Sequence, residues 1–329
     1  MNKAIRLLTF GALIFAGLSA GGVGQTAETN LNHEFVFSIT EDNDLFVYPK
    51  TDKHYTQGLH IGLLWPDEEA PWPMRPLAWL PDFGLANGVH KYGLRVGQDM
   101  YTPIDMTRTD PISTDRPYAG WLFMGFIRDD RGTVAKGIPA RDHLEVDLGV
   151  VGPDSLVSDT QVWWHKMIGS EKPFGWAYEI RNEAGFLINF DRQLKIWDSG
   201  TGQFFQAQLL PDAGFNLGNI QTSLRLGTEM RLGHNIPDEF ARVPQSVFGW
   251  YLFGAVDGRI VGYNEFLDGN AFQSSRSVAK EPAVLEAHGG LVLVLKHLQI
   301  SYTYNYLSKE FKTQDKYDAY GSVSLTQAF

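Results

Sequence analysis

The chain has 329 residues, with 28 Lys+Arg against 38 Asp+Glu and a formal net charge of −10. At 13% aromatic and only 20% charged it is neither disordered nor collagen-like, and its acidic balance argues against a nucleic-acid partner. Cysteine is absent, which excludes disulfides, thiolate metal sites and a cysteine nucleophile. A mean hydropathy of −0.20 excludes a polytopic helical membrane protein. It leaves room for a membrane barrel, where apolar and polar residues alternate and average out.

Lys3 and Arg6 precede an apolar run from Leu7 to Leu18, and the small residues Ser19, Ala20, Gly21, Gly22 and Gly24 follow. This is the pattern of a secretory signal peptide, expected over residues 1–24 ahead of a mature domain over 25–329. The run is short for a membrane span, and no basic stop-transfer cluster comes after it.

The body of the chain reads in twos. From Tyr55 the odd positions Tyr55, Gln57, Leu59, Ile61, Leu63 and Trp65 alternate with Thr56, Gly58, His60 and Gly62. Leu144, Val146, Leu148 and Val150 alternate with Glu145, Asp147 and Gly149; Leu224, Leu226 and Met230 alternate with Arg225 and Glu229. A period of two marks strands lying between two different solvents. Charges in mid-strand suit a polar lumen and do not suit a small closed core. The last segment alternates Val323, Leu325, Gln327 and Phe329 with Ser322, Ser324, Thr326 and Ala328, and its terminal aromatic resembles the insertion signal of outer-membrane barrels.

Strands are expected over 32–44, 54–65, 91–101, 116–129, 141–151, 175–197, 203–217, 219–234, 246–267, 282–295, 297–311 and 316–329. The reading is all-β: a transmembrane antiparallel up-and-down barrel of about twelve strands, an even number as closure requires. The connection 66–90, rich in Pro and Trp, falls on the periplasmic side, where turns are normally short. It is read as either an amphipathic plug or a sign of a miscount. From Ser155 to Ile168 the period of two stops. Ser158 and Gln161 have the spacing of a capping box, and Gln161 and His165 share a helical face, so a short helix is expected in an extracellular loop.

With a periplasmic N-terminus, Asn43 and Asp44 at the end of the first strand, Thr56 at the start of the second, the Asp115–Tyr118 stretch and the helix with Gln161 and His165 all meet at the outer rim. Each also has a bland reading. Glu41 to Asp44 is an ordinary polar turn, and His165 beside Trp163 and Trp164 an interfacial aromatic cluster. Among the nine His, His165 alone has an amide one turn away on a loop helix; His60 and His143 lie in strands. No Gly-x-Ser-x-Gly elbow and no His-Glu-x-x-His spacing occurs.

Asn43-Asp44-Leu45-Phe46, Tyr55-Thr56-Gln57-Gly58, Asp115-Arg116-Pro117-Tyr118-Ala119-Gly120, Gly152-Pro153, Gln161-x-x-x-His165 and the Gly175-Trp176 to Glu183 stretch come in this order. Together with the closing Tyr320-Gly321-Ser322 to Phe329 they resemble the outer-membrane lipid A 3′-O-deacylase family, LpxR. The resemblance spans nearly the whole mature chain. It implies a twelve-stranded bacterial outer-membrane barrel, most simply a monomer, that hydrolyses the ester holding the 3′-acyloxyacyl group of lipid A in lipopolysaccharide, using calcium. By resemblance, His165 matches the catalytic base, and Gln161, Asn43 and Thr56 match its companions. Asp44 and Asn43 match the metal end of the site. An acidic residue often follows the Asn-Asp pair in the family; here Leu45 stands there. Lys166 and Lys172 are candidates for lipid A phosphates. The competing readings are an outer-membrane phospholipase with Ser155 or Ser158 as nucleophile, and a non-enzymatic porin or adhesin.

Overall fold

The computed structural model describes residues 35–48, 53–200, 204–237 and 248–329. The expected signal peptide and the start of the first expected strand lie outside them. The strands are β1 (Val36–Asn43), β2 (His54–Pro66), β3 (Ala86–Thr102), β4 (Ala119–Thr133), β5 (Pro139–Val151), β6 (Glu183–Leu194), β7 (Trp197–Asp198), β8 (Gln206–Gly218), β9 (Gln221–His234), β10 (Phe248–Asn264), β11 (Ala283–Leu295), β12 (Leu298–Leu307) and β13 (Asp318–Ala328). β7 is a two-residue extension beside β8. The other twelve close into an antiparallel barrel, β1 pairing with β13 and β6 with β8.

Register shows which face meets lipid. Ile39, Ile61, Val96, Met124, Leu148 and Phe186 stand in one row across β1 to β6. Those from Ile61 to Phe186 are between 39% and 49% exposed, an apolar stripe that only a bilayer covers. The opposite parity lines the lumen and carries the charges expected there. Arg95 meets Glu145 at 3.1 Å, Arg225 pairs with Asp191 and with Asp257 at 3.2 Å, and Arg259 pairs with Glu286. Pairing removes most of the cost of holding charge away from bulk water. His60 and His143 join this lumen network, on Asp99 at 2.9 Å and on Glu145 at 3.3 Å.

The differences from the sequence reading are local. Residues 175–182 are not strand: a 3-10 turn, Gly175–Tyr178, leads to β6. β10 stops at Asn264, whose side chain caps a one-turn helix, Glu265–Asp268. The connection after β2 is neither a lumen plug nor a missed strand. It forms short turns over Asp67–Glu69 and Trp72–Met74 and a helical turn Arg75–Ala78, and then enters β3 at Ala86.

β2 departs from strict alternation at one place. Tyr55 pairs with Tyr101 and Gln57 with Met100, so Thr56 is an extra residue in a bulge. The bulge turns Tyr55 into the lumen, where its hydroxyl donates to Asp42 at 2.9 Å, and leaves Thr56 with the outward Thr102, their hydroxyls 2.7 Å apart. Tyr55 therefore does not continue the greasy face of β2.

Candidate active site

Four residues along the lipid-facing wall, or about 13 Å, above the apolar stripe, the outward row becomes Asn43, Gln57, Met100 and Gly120. Between the two rows lie Glu41, Leu59, Gln98 and Leu122. A polar patch thus interrupts the outer wall near its extracellular end. Gln57 Nε2 donates to Glu41 Oε1 at 3.0 Å and Gln98 Nε2 to the Ser155 carbonyl at 2.8 Å.

The loop between β5 and β6 folds onto this patch from outside. After Gly152-Pro153 a 3-10 turn, Pro153–Ser155, leads into the helix Val157–Ile168. The helix docks where β4 has no side chain: a Cβ on Gly120 would overlap Ser155 Oγ and come within 2.7 Å of Val157 Cβ. Val157, Met100, Met106, Tyr118 and Trp176 form one buried apolar cluster beneath it. The expected capping box is not formed. Leu156, in the left-handed region at φ 61°, is the N-cap, without a side-chain hydrogen bond. Ser158 is already inside the helix, and Gln161 faces the cluster instead.

Gln161 is held from two sides. Trp176 Nε1 donates to its Oε1 at 2.7 Å, and its Nε2 lies 3.1 Å from Met106 Sδ. One turn on, His165 is 4% exposed, and its Nδ1 makes a short hydrogen bond to the Glu171 carbonyl. A carbonyl only accepts, so Nδ1 carries the proton and Nε2 is the basic nitrogen. The chain can fold back to supply that carbonyl because Gly169, at φ 71°, ends the helix in the left-handed region.

Asn43 caps a 3-10 turn, Asp44–Phe46, its Oδ1 accepting from Leu45 N at 2.9 Å. Asp44 is fully buried, and its Oδ2 accepts from Lys53 N at 2.7 Å. Asn43 and Asp44 are thus adjacent, Thr56 lies one strand away on Thr102, and Gln161 with His165 sits on the helix beyond. Met100 joins the two halves, paired with Gln57 in the wall and packed with Val157 in the helix. The Asp115–Tyr118 stretch is the scaffold between them. Asp115 accepts from Ile104 N at 2.6 Å, Arg116 pairs with Glu310 at 3.0 Å, and Tyr118 packs on Trp176 with ring centroids 4.7 Å apart.

Thr102, Met106 and the Glu171 carbonyl are not singled out by the sequence, nor is Glu41 as an outward-facing acid; Trp176 stands in a quoted motif, but its bond to Gln161 is not foreseen. Parity along β1 would have placed Glu41 beside Asn43. The other contacts depend on how the loop folds back.

A closed twelve-stranded barrel with an apolar outer stripe, a charged lumen and a polar site on its outer wall is an outer-membrane protein. No curated protein sequence matches the chain. The model of the family described as outer membrane protein LpxR matches residues 8–329, so the chain belongs to that family. Among solved structures, LpxR from Salmonella typhimurium is similar over 89% of this chain and 100% of that one, with a TM-score of 0.71 at 20% identity. The β domain of the Bordetella autotransporter BrkA is a more distant likeness, with a TM-score of 0.44 at 10% identity over 90% of this chain and 98% of that one.

Proposed function

We propose that this outer-membrane protein is a lipid A deacylase that hydrolyses the ester of the 3′-linked acyloxyacyl group at the outer leaflet. The observation that carries the reading is the position of the polar patch. It lies in the lipid-facing wall near the extracellular end, beneath and beside the loop helix, at the level where a lipid headgroup ester lies while its acyl chains remain in the bilayer. Family membership supports the same reading.

In this reading His165 Nε2 takes a proton from water as the water oxygen attacks the ester carbonyl. The Glu171 carbonyl holds the ring in the required tautomer and shares the positive charge that develops on it. Collapse of the tetrahedral intermediate frees the 3′-oxygen, which takes the proton back from His165, and the released acid gives its remaining proton to solvent and leaves as its carboxylate. Gln161, fixed by Trp176 and Met106, positions the helical turn that carries His165, and Thr56 and Asn43 belong to the wall on which the helix lies. Asp44 and Asn43 would hold a calcium ion, since carboxylate and amide oxygens are the hard donors it prefers. Bound there, the ion would supply charge stabilisation for the oxyanion. Lys172, whose ammonium lies 5.7 Å from the Phe174 ring centroid, and Lys166 are exposed on the loop and are the candidates to meet lipid A phosphates.

The reading with a serine nucleophile is less favoured by the geometry. Ser155 is fully buried against Gly120, and Ser158 is a helix residue without a basic partner among the contacts described. Mass spectrometry of lipid A from cells expressing the wild type and His165→Ala tests the proposal. Loss of the 3′-acyloxyacyl mass with the wild type alone is the expected result.

A further inference from the structure

The connection between β2 and β3 runs across the outside of the barrel. At the periplasmic end the outward row is Trp65, Tyr92, Arg128, Leu144, Phe190 and Phe215. These positions continue the lipid-facing stripe, yet Tyr92, Arg128 and Leu144 are buried. Residues 67–85 cover them. Arg128 Nη1 donates to the carbonyls of Leu77 at 3.0 Å and Leu80 at 2.7 Å, and its Nη2 meets Asp82 at 2.6 Å. Farther round the wall, Arg192 Nη2 donates to the Phe83 carbonyl at 2.9 Å while paired with Asp142. The Phe83 ring lies 5.4 Å from Phe190, which in turn stacks on Phe215.

A segment fastened this firmly has its backbone held, and Met74 is completely buried beneath it. Its outer side nevertheless shows Trp72 at 79% and Trp79 at 84% exposure, with Phe83 and Leu80 also exposed. Two fixed, outward tryptophans at the edge of a lipid-facing stripe match the interfacial belt of membrane proteins, in which the indole ring sits among headgroups. Two other periplasmic turns of this barrel, at Ala135–Gly137 and between Leu295 and Leu298, are short, so joining neighbouring strands at this end does not require a segment of this length.

We propose that residues 67–85 form an external belt that docks on the phospholipid surface of the periplasmic leaflet, with Trp72 and Trp79 seated at headgroup depth. The continuity of Phe83 with Phe190 and Phe215 selects lipid over a periplasmic protein. The chain lacks cysteine, so single labels can be introduced without background. Trp72→Cys and Trp79→Cys carry a nitroxide in vesicles of phosphatidylethanolamine and phosphatidylglycerol. Val96→Cys in the apolar stripe and Lys136→Cys in a periplasmic turn give the bilayer and aqueous references. Oxygen accessibility relative to a water-soluble nickel complex should be several-fold higher at positions 72 and 79 than at 136, and lower than at 96. In unlabelled protein, brominated phospholipid should quench a smaller share of the fluorescence in the Trp72→Phe, Trp79→Phe double variant than in the wild type. Labels as aqueous as position 136, with an unchanged quenchable share, overturn the proposal. Quenching decides if the two readings disagree, because phenylalanine keeps the segment apolar.

Discussion

The indole N–H of Trp176 reaches Gln161 Oε1 at 2.7 Å, one helical turn before His165. Trp176 belongs to the loop after the helix, so this bond ties the returning chain to the helix and sets which way the Gln161 amide faces. Trp176→Phe keeps the ring in the apolar cluster and removes the donor. A buried hydrogen bond is worth ~0.5–1.5 kcal/mol net. Turnover should therefore fall up to about tenfold with the heat-modifiable barrel retained, as read by lipid A mass spectrometry and gel mobility.

His165→Ala should cost far more. Loss of a general base typically lowers rate ~10²–10⁴-fold. His60→Ala and His143→Ala, both in the lumen network, are the controls and should keep normal turnover. A dead control beside an active His165→Ala would assign the base elsewhere.

Asp44→Asn keeps the shape of the side chain and removes its charge. Calcium affinity measured by calorimetry should drop ~10-fold or more, the low end of what even outer-shell partners of a metal cost. Ester cleavage should fall with it. Unchanged calcium binding in Asp44→Asn would exclude this carboxylate as a ligand.

Gly120→Ala tests the seat of the helix. Overpacking by one methyl costs ~1–3 kcal/mol. Here the neighbours are Ser155 and Val157, so the strain falls on the loop and not on the strand pairing. Proteolysis within 153–170 should speed up and hydrolysis should drop, while the barrel still resists SDS before heating.

Glu265, in the outer loop after β10, is fully buried, and Asn270 donates to its Oε1 at 3.0 Å. Burial, with the nearby Glu183 charge, pushes its carboxyl up to about 8. The acid is neutral in the folded loop at pH 7 and ionised when the loop is open. Between pH 4.5, its ordinary value, and about 8 the folded loop therefore holds the extra proton, and its stability falls as pH rises through that window. Amide exchange at 265–278 should quicken from pH 5 to pH 8 beyond its intrinsic pH dependence. Glu265→Gln should remove that excess.

The barrel was legible because two solvents impose one period. Leu224 and Leu226 against Arg225 and Glu229, and Leu148 against Asp147, needed no partner strand to be read. The loop helix was legible because the period stopped. What stayed hidden depends on contacts between distant segments. The bulge at Thr56 shows only in the register of β2 against β3, and it reverses the faces that alternation gives Tyr55 and Thr56. Ser158 and Gln161 have capping-box spacing, but the pull of Trp176 and Met106 on Gln161 prevails over a local cap. The Pro- and Trp-rich connection looked anomalous for a turn, and only Arg128 and Arg192 reveal that it lies against the outer wall.

The row from Asn43 to Gly120 belongs to the lipid-facing wall, at the level of the leaflet. In the proposed reaction a substrate therefore arrives by diffusion in two dimensions, and its effective concentration is a mole fraction of the surrounding lipid. Inert lipid or detergent added at constant bulk substrate should slow the enzyme by dilution alone. Rates compared between membranes will track how much of the leaflet is substrate, and the volume of the assay will not matter.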